Sequence, residues 1–348
     1  MKNSLILAAS GERLIVPLLG TAVFVLLAAA FFHFNGYPPG QIFTQIYKGA
    51  FGDAFSITTT LSKTLPILLC ALATALPARM GLISVGAEGQ LYFGALTGTA
   101  AVLVHPAASA WIVLPSMLAL TLLGGALWGA IPGALRAALG VNETIVTILM
   151  NYLAIKLVEY AVYGPWKDPA NLGWPATMAF PAAAQFPAIT FDGIASNWAL
   201  PLSILLAVVL FVMVEKSRLG TALTLLRNNP RVARLAGIRY VPHCIVVMAL
   251  AGMLAGLAGI VQAANVQNHL QPDLSSGYGY VGFLVAWLAG QNFLRIIPLA
   301  LVMGGLLSAA DALQLFAQLP YSNTVVLQAL LFISVLGVGA ARAKWAKT

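Results

Sequence analysis

GQLYFGALTGTAAVLVHPAASAWIVLPSMLALTLLGGALWGAIPGAL, residues 89–135, contains no Asp, Glu, Lys or Arg. A helix crossing hydrocarbon needs about 20 mainly apolar residues, so this run is long enough for two crossings with a turn at His105-Pro106. Leu14 to Tyr47, Val241 to Pro272 and Ala312 to Ala341 are equally free of charge. Over the 348 residues, 60% are apolar and 8% charged. Soluble domains carry about 25% charged residues, so this chain has too few to cover a water-facing surface. The two-residue alternation of a membrane barrel is absent. The class is all-α: a polytopic membrane helical bundle, read as a single transmembrane domain over 1–348.

Breaks at Gly, Pro and charge clusters divide the chain into about ten transmembrane helices, expected near 14–34, 57–77, 82–104, 109–134, 141–162, 198–214, 241–263, 280–292, 296–317 and 322–341. The eighth is short enough to be a half-helix. The first is too long for a signal-peptide core and lacks a clear cleavage site. Lys and Arg collect in cytoplasmic loops. With the N-terminus inside, the inner side receives Lys2, Arg13, Arg79, Arg136, the six cations of 215–240, Arg295, Arg342, Lys344 and Lys347, which is 14 of the 18 Lys and Arg residues. Both termini are then cytoplasmic. The net charge of +8 follows from topology and calls for no nucleic acid. Cys70 and Cys244 both lie in apolar segments, which offers neither a disulfide framework nor a metal site.

Two segments outside the membrane carry more than connection. The outer-side loop 163–197 holds Pro165, Pro169, Pro175, Pro181 and Pro187 with Trp166 and Trp174, a stiff and partly apolar surface for the membrane or a docked protein. The cytoplasmic loop 215–240 contains Lys216, Arg218, Arg227, Arg231, Arg234 and Arg239 against one acid, Glu215. Within it Asn229 suits an N-cap and Pro230 the first helical position. Gly237 suits the left-handed residue that stops a helix. Arg231 and Arg234 share one face, while Val232, Leu235 and Ala236 form an apolar ridge.

Within the spans, Gly125, Gly129 and Gly133 repeat every four residues, and Gly252, Gly256 and Gly259 do nearly the same. Small residues at this spacing let helix backbones approach closely in lipid. Polar groups cost more there: a carboxylate at bilayer depth costs about 2.5–3.5 kcal/mol on the insertion scale. Glu88 lies between glycines in Gly86-Ala-Glu-Gly-Gln90. Glu143 follows Asn142, and Thr144, Thr147 and Asn151 share a helical face behind it. Asp311 heads a stripe with Gln314 and Gln318, with Ser308 one turn earlier. A further polar stretch runs from Gln262 to Asp273. These faces are expected either to line a hydrophilic path or to brace the bundle by pairing with Arg79, Arg136 or backbone amides. H-E-x-x-H, G-x-S-x-G, CxxC and Walker A motifs are all missing, so the chain reads as a non-enzyme.

Four segments carry a resemblance. Arg79-Met-Gly-Leu-Ile-Ser-Val-Gly-Ala-Glu-Gly-Gln90 resembles the "GLFNIGAEGQ" signature of permeases from bacterial ABC importers of the ribose and nucleoside type. Gly140-Val-Asn-Glu-Thr-Ile-Val-Thr-Ile-Leu-Met-Asn-Tyr-Leu153 is similar to their "GVNEVISTIMLNYIA". Arg227-Asn-Asn-Pro-Arg-Val-Ala-Arg-Leu-Ala-Gly-Ile238 is similar to "GENPxAARYAGI", and Gly277-Tyr-Gly-Tyr-Val-Gly282 to "GxGFxGIAVAL". Trp287-Leu-Ala-Gly-Gln-Asn-Phe293 departs from the family's "VALLG" and "RNNP". The resemblance implies a type II ABC importer permease fold, cytosolic ATP-binding subunits that hold the ATP, a second and commonly different permease, and an external solute-binding receptor.

The expected cargo is a nucleoside or related small polar solute; a simple sugar, purine or flavin is the alternative. From another class, an ion-coupled secondary transporter would also use intramembrane carboxylates, though not a capped basic helix. Glu88, Gln90, Tyr92, Asn142, Glu143, Asn151, Tyr152 and Asp311 are the expected substrate path, with Trp287 also available to stack on a base. Asn229, Pro230, Arg231, Arg234, Leu235 and Gly237 are the expected ATPase-coupling element. No metal and no cofactor of the chain's own are expected.

Overall fold

A computed structural model describes residues 19–170, 173–316 and 319–345. The cations Lys2, Arg13 and Lys347, the start of the first expected span and Gln318 lie outside the described residues. Thirteen α-helices account for most of the described chain, and the only strands among the described residues are β1 (Ala188–Phe191) and β2 (Ile194–Asn197), an antiparallel hairpin.

The chain forms two compact units. One comprises residues up to Thr60 together with those from Met303 onward, and the other is Leu61–Val302. In the first, α1 (Leu19–Phe34) is followed by α2 (Pro39–Phe51) after a bend of 117°. The turn is set by Gly36 at φ +80° and by Pro38-Pro39, where a fixed φ and a missing N–H stop a helix and restart it. Gly20 lets α1 press on the backbone of Val335 in α13 (Ser322–Trp345), and Gly49 of α2 lies against Ala312 of α12 (Phe293–Phe316).

The second unit is built on α4 (Ala87–Val104), α5 (Ala110–Leu139) and α10 (Tyr240–Val261). The two glycine repeats meet where the sequence places packing faces. A Cβ on Gly252 would fall on the carbonyl oxygen of Gly125, and one on Gly129 would fall on that of Met248. Gly94 abuts Gly256 and Gly259 abuts Leu91, so α10 docks on α5 and α4 at backbone contact. α6 (Glu143–Tyr163) and α11 (Tyr278–Leu288) pack on α4, and the later turns of α3 (Ala54–Ala78) and the helix α7 (Ala199–Glu215) belong to the same unit. α8 (Arg218–Asn228) and α9 (Pro230–Leu235) form the basic loop.

Every expected span corresponds to a helix among the described residues, though not every one of those helices is long and apolar enough to be counted as a crossing by itself. Six helices are long and apolar enough to cross a membrane, or up to eight when the bent pairs α1–α2 and α7–α8 each count as one span. α11 has eleven residues, a half-helix as its length suggested. α4 opens on Glu88 and Gln90, and its first half is buried. A helix enclosed by its neighbours need not be apolar, because it does not meet lipid. α2 and α8 had no counterpart in the sequence reading, since their polar residues obscure a helical period. α10 continues through a π-turn over Gln262–Gln267 and ends at Asn268, a non-glycine residue at φ +60°.

Candidate functional site

The site begins with an interruption. α3 stops at Ala78, Gly81 adopts φ +84°, and the chain runs without helix to the start of α4 at Ala87. Non-helical backbone at membrane depth survives only where its polar groups find partners. α6 supplies them. The Ile83 N–H donates to Glu143 Oε1 at 3.1 Å, and Thr144 Oγ1 donates to the Ile83 carbonyl at 2.8 Å. One turn on, Thr147 Oγ1 accepts from Val85 N–H at 3.2 Å. Asn151 closes the seam: its amide donates to the Val85 carbonyl at 2.9 Å and accepts from Gly89 N–H at 2.8 Å. The polar stripe of α6 is therefore a template for an open strand of backbone. Asn142 caps α6 by accepting from Thr144 N–H at 2.9 Å, and Arg136 Nε lies 3.2 Å from Glu143 Oε2.

The start of α4 is held from its other side. Glu88 Oε2 accepts from Gly279 N–H, in the first turn of α11, at 2.6 Å. Gly279 is obligatory in that contact, since a Cβ there would collide with the Glu88 backbone. One turn along, Tyr92 Oη donates to the Pro272 carbonyl at 3.1 Å and accepts from Ser275 N–H at 3.3 Å. Glu88, Gln90, Tyr92, Glu143 and Asn151 are all buried, whereas Tyr152 is 62% exposed and Asn142 is exposed. The structure thus brings seven of the eight expected path residues onto α4 and α6 of one unit. The buried five form a braced wall and the other two face outward from α6. Asp311 belongs to the other unit.

Sequence reading missed one anchor at the same break. Arg79 pairs with Glu215 at 2.5 Å, and its guanidinium stands 5.4 Å from the ring centre of Phe293. Residues 79 and 215 are too far apart in sequence for spacing to reveal the pair. Glu215 ends α7, so the ion pair ties the interruption to the helix that leads into the basic loop.

That loop is built as its caps suggest. Asn229 Oδ1 accepts from Val232 N–H at 3.2 Å, Pro230 takes the first helical position, and Gly237 sits at φ +76°. The helix is six residues long and buries Ala233 inward. Leu235 is 89% exposed, with Val232, Arg231 and Arg234 also exposed beside it. Trp287, on α11, is partly exposed at 38%.

The polar stretch after α10 holds the proline-rich loop 163–197. Asn265 exchanges two hydrogen bonds with the Phe186 backbone, at 3.1 and 2.9 Å. Leu270 and Thr177 exchange two more, at 3.0 and 3.0 Å, and the Asn268 carbonyl accepts from Phe180 N–H at 2.7 Å. These groups staple the proline-rich loop onto the bundle and do not extend the α6 stripe.

In the first unit a cavity of about 520 Å³ lies at the α2–α3 junction beside α12, lined in part by Lys48, Asp53, Ser56, Ser308 and Asp311. Ser308 donates to the Gly49 carbonyl at 2.9 Å. Asp53 caps α3 by accepting from Ser56 N–H at 2.7 Å, and the Ser56 backbone and hydroxyl hold its carboxyl below the usual carboxylate range.

A helical bundle with six to eight candidate spans, a braced interruption and an exposed capped helix in its basic loop defines a multi-pass membrane protein. Residues 56–336 match the family described as "Branched-chain amino acid transport system / permease component", and the chain belongs to that family. It is 28% identical to the guanosine ABC transporter permease protein NupP of Bacillus subtilis (strain 168), over 95% of each chain. It is 28% identical to the nucleoside ABC transporter permease protein NupB of Lactococcus lactis subsp. cremoris, covering 92% of this chain and 90% of that one. With the glucose ABC transporter permease protein TsgB13 of Haloferax volcanii it shares 29% identity over 85% and 79%. Each of these relatives is named as a permease protein of an ABC transporter.

Proposed function

We propose that this permease passes a nucleoside, or a closely related small polar solute, inward across a bacterial inner membrane, driven by ATP that separate cytosolic subunits bind and hydrolyse. The observation that carries the ATP-driven part is Leu235. An 89% exposed leucine on a capped six-residue helix is marginal alone in water, and an apolar ridge flanked by Arg231 and Arg234 suits a groove on a cytosolic ATPase. In this reading both termini and 215–240 are cytoplasmic, and 163–197 faces a solute-binding receptor. Residues 1–348 act as one translocation domain opposite a second, different permease chain.

Glu88, Gln90, Tyr92, Glu143 and Asn151 hold the wall of the path and Asn142 and Tyr152 meet the solute in the second unit, while Asp311 meets it separately in the first. The receptor supplies affinity, so the path needs none of its own. The cargo assignment draws on the two relatives named for guanosine and nucleoside, while the relative named for glucose supports a monosaccharide as the second reading. Uptake of labelled guanosine into vesicles carrying the complete transporter decides between them. Stronger competition by other nucleosides than by glucose or ribose is expected; competition by sugars alone would replace the nucleoside with a sugar.

A further inference from the structure

The geometry points to a solute-binding station in the cavity at the α2–α3 junction, selective for an uncharged polyhydroxylated ring, such as a free monosaccharide or the ribosyl part of a nucleoside, and closed to its phosphorylated form. This deepens the proposed function and rests on it only in taking the chain to carry a small solute. The volume, about 520 Å³, is within the range of small-molecule sites and well above that of a site for a bare ion.

The lining states the chemistry. Asp53 and Asp311 present acceptors only, which hydroxyl donors satisfy. Lys48 presents donors from α2, and Gln45 an amide that both donates and accepts, suited to ring oxygens and hydroxyls. Phe55 lines the same cavity and is 79% exposed, a flat apolar face against which the C–H side of a sugar or a base can rest. Two carboxylates against one ammonium leave the lining net negative, so a phosphate would meet repulsion that Lys48 alone does not offset. A bound cation is the rival occupant, and the ammonium of Lys48 in the same lining opposes it.

Cysteine protection in the complete transporter, held in lipid nanodiscs so that both faces are accessible, tests the site without relying on the receptor. Cys70 and Cys244 are fully buried and stay unreactive, so Thr59→Cys reports from the lining. Leu315→Cys, at a 71% exposed position of the same lining, replaces it if the first variant does not assemble. Millimolar guanosine or D-ribose should slow methanethiosulfonate labelling about fivefold, the factor expected at about four times the dissociation constant. Guanosine monophosphate should leave the rate unchanged, and Asp311→Asn should abolish the protection.

Equal protection by the monophosphate overturns the selectivity, and protection by sodium against choline overturns the ligand class. No protection by any solute, with ATP-driven uptake intact, rejects the station and leaves the proposed function standing. Protection by guanosine or ribose without ATP-driven uptake does the reverse.

Discussion

Glu88 is held in place by a hydrogen bond to a backbone amide on a different helix, and that contact predicts how its variants differ. Glu88→Gln keeps the shape and an acceptor for Gly279 N–H, so assembly should be near normal while uptake falls severalfold. Glu88→Ala strands that buried amide at a cost of about 1–3 kcal/mol and should also lower the midpoint of thermal unfolding in detergent. Normal uptake by a well-assembled Glu88→Gln would make the carboxylate a brace and nothing more. Asn151→Ala removes partners from both Val85 and Gly89, so its stability loss should exceed that of Thr147→Ala, read in the same melt. The sequence showed that Glu143, Thr144, Thr147 and Asn151 share a face and that a bracing role was open to Glu88 and Glu143. It could not show that the partner was the backbone of 83–89, because a main-chain acceptor or donor leaves no mark in residue type. The Arg79–Glu215 pair was hidden for a related reason: only the folded chain brings residue 215 beside residue 79.

Among the elements, the helix pairs with the clearest signal were those joined by glycine. Spacing alone placed Gly125 and Gly129 in one packing face and Gly252 in another, and the two faces meet at backbone contact. Gly252→Leu would force α10 away from α5, and overpacking of this kind costs about 1–3 kcal/mol or more. The variant should yield less monodisperse protein in size-exclusion chromatography, whereas Gly173→Leu, in open space, should not. The short elements were less legible. α9 could be read because Asn, Pro and Gly mark its ends chemically. α2 was not read, because Gln41, Thr44, Gln45 and Lys48 interrupt its apolar period, and α4 was read as an ordinary span although its polar first turn is buried among neighbours.

For the whole molecule, charge placement predicts that Ser217→Cys is reached by a membrane-impermeant thiol reagent only after cells are opened, while Ala182→Cys, at an exposed position of the outer segment, is labelled on intact cells. The reverse pattern would invert the topology and move α9 away from any cytosolic partner. The central claim is that separate cytosolic ATPases drive this permease through a contact at α9. The most direct measurement is solute-stimulated ATP hydrolysis and uptake together, in vesicles holding the full complex with either the native chain or Leu235→Asp. The account predicts that the variant inserts and assembles normally as a permease but loses most of both activities, since a carboxylate buried in an apolar contact costs several kcal/mol. Unchanged stimulation and uptake in Leu235→Asp, or uptake by the permease with no ATPase subunit present and driven by a proton or sodium gradient, would contradict it.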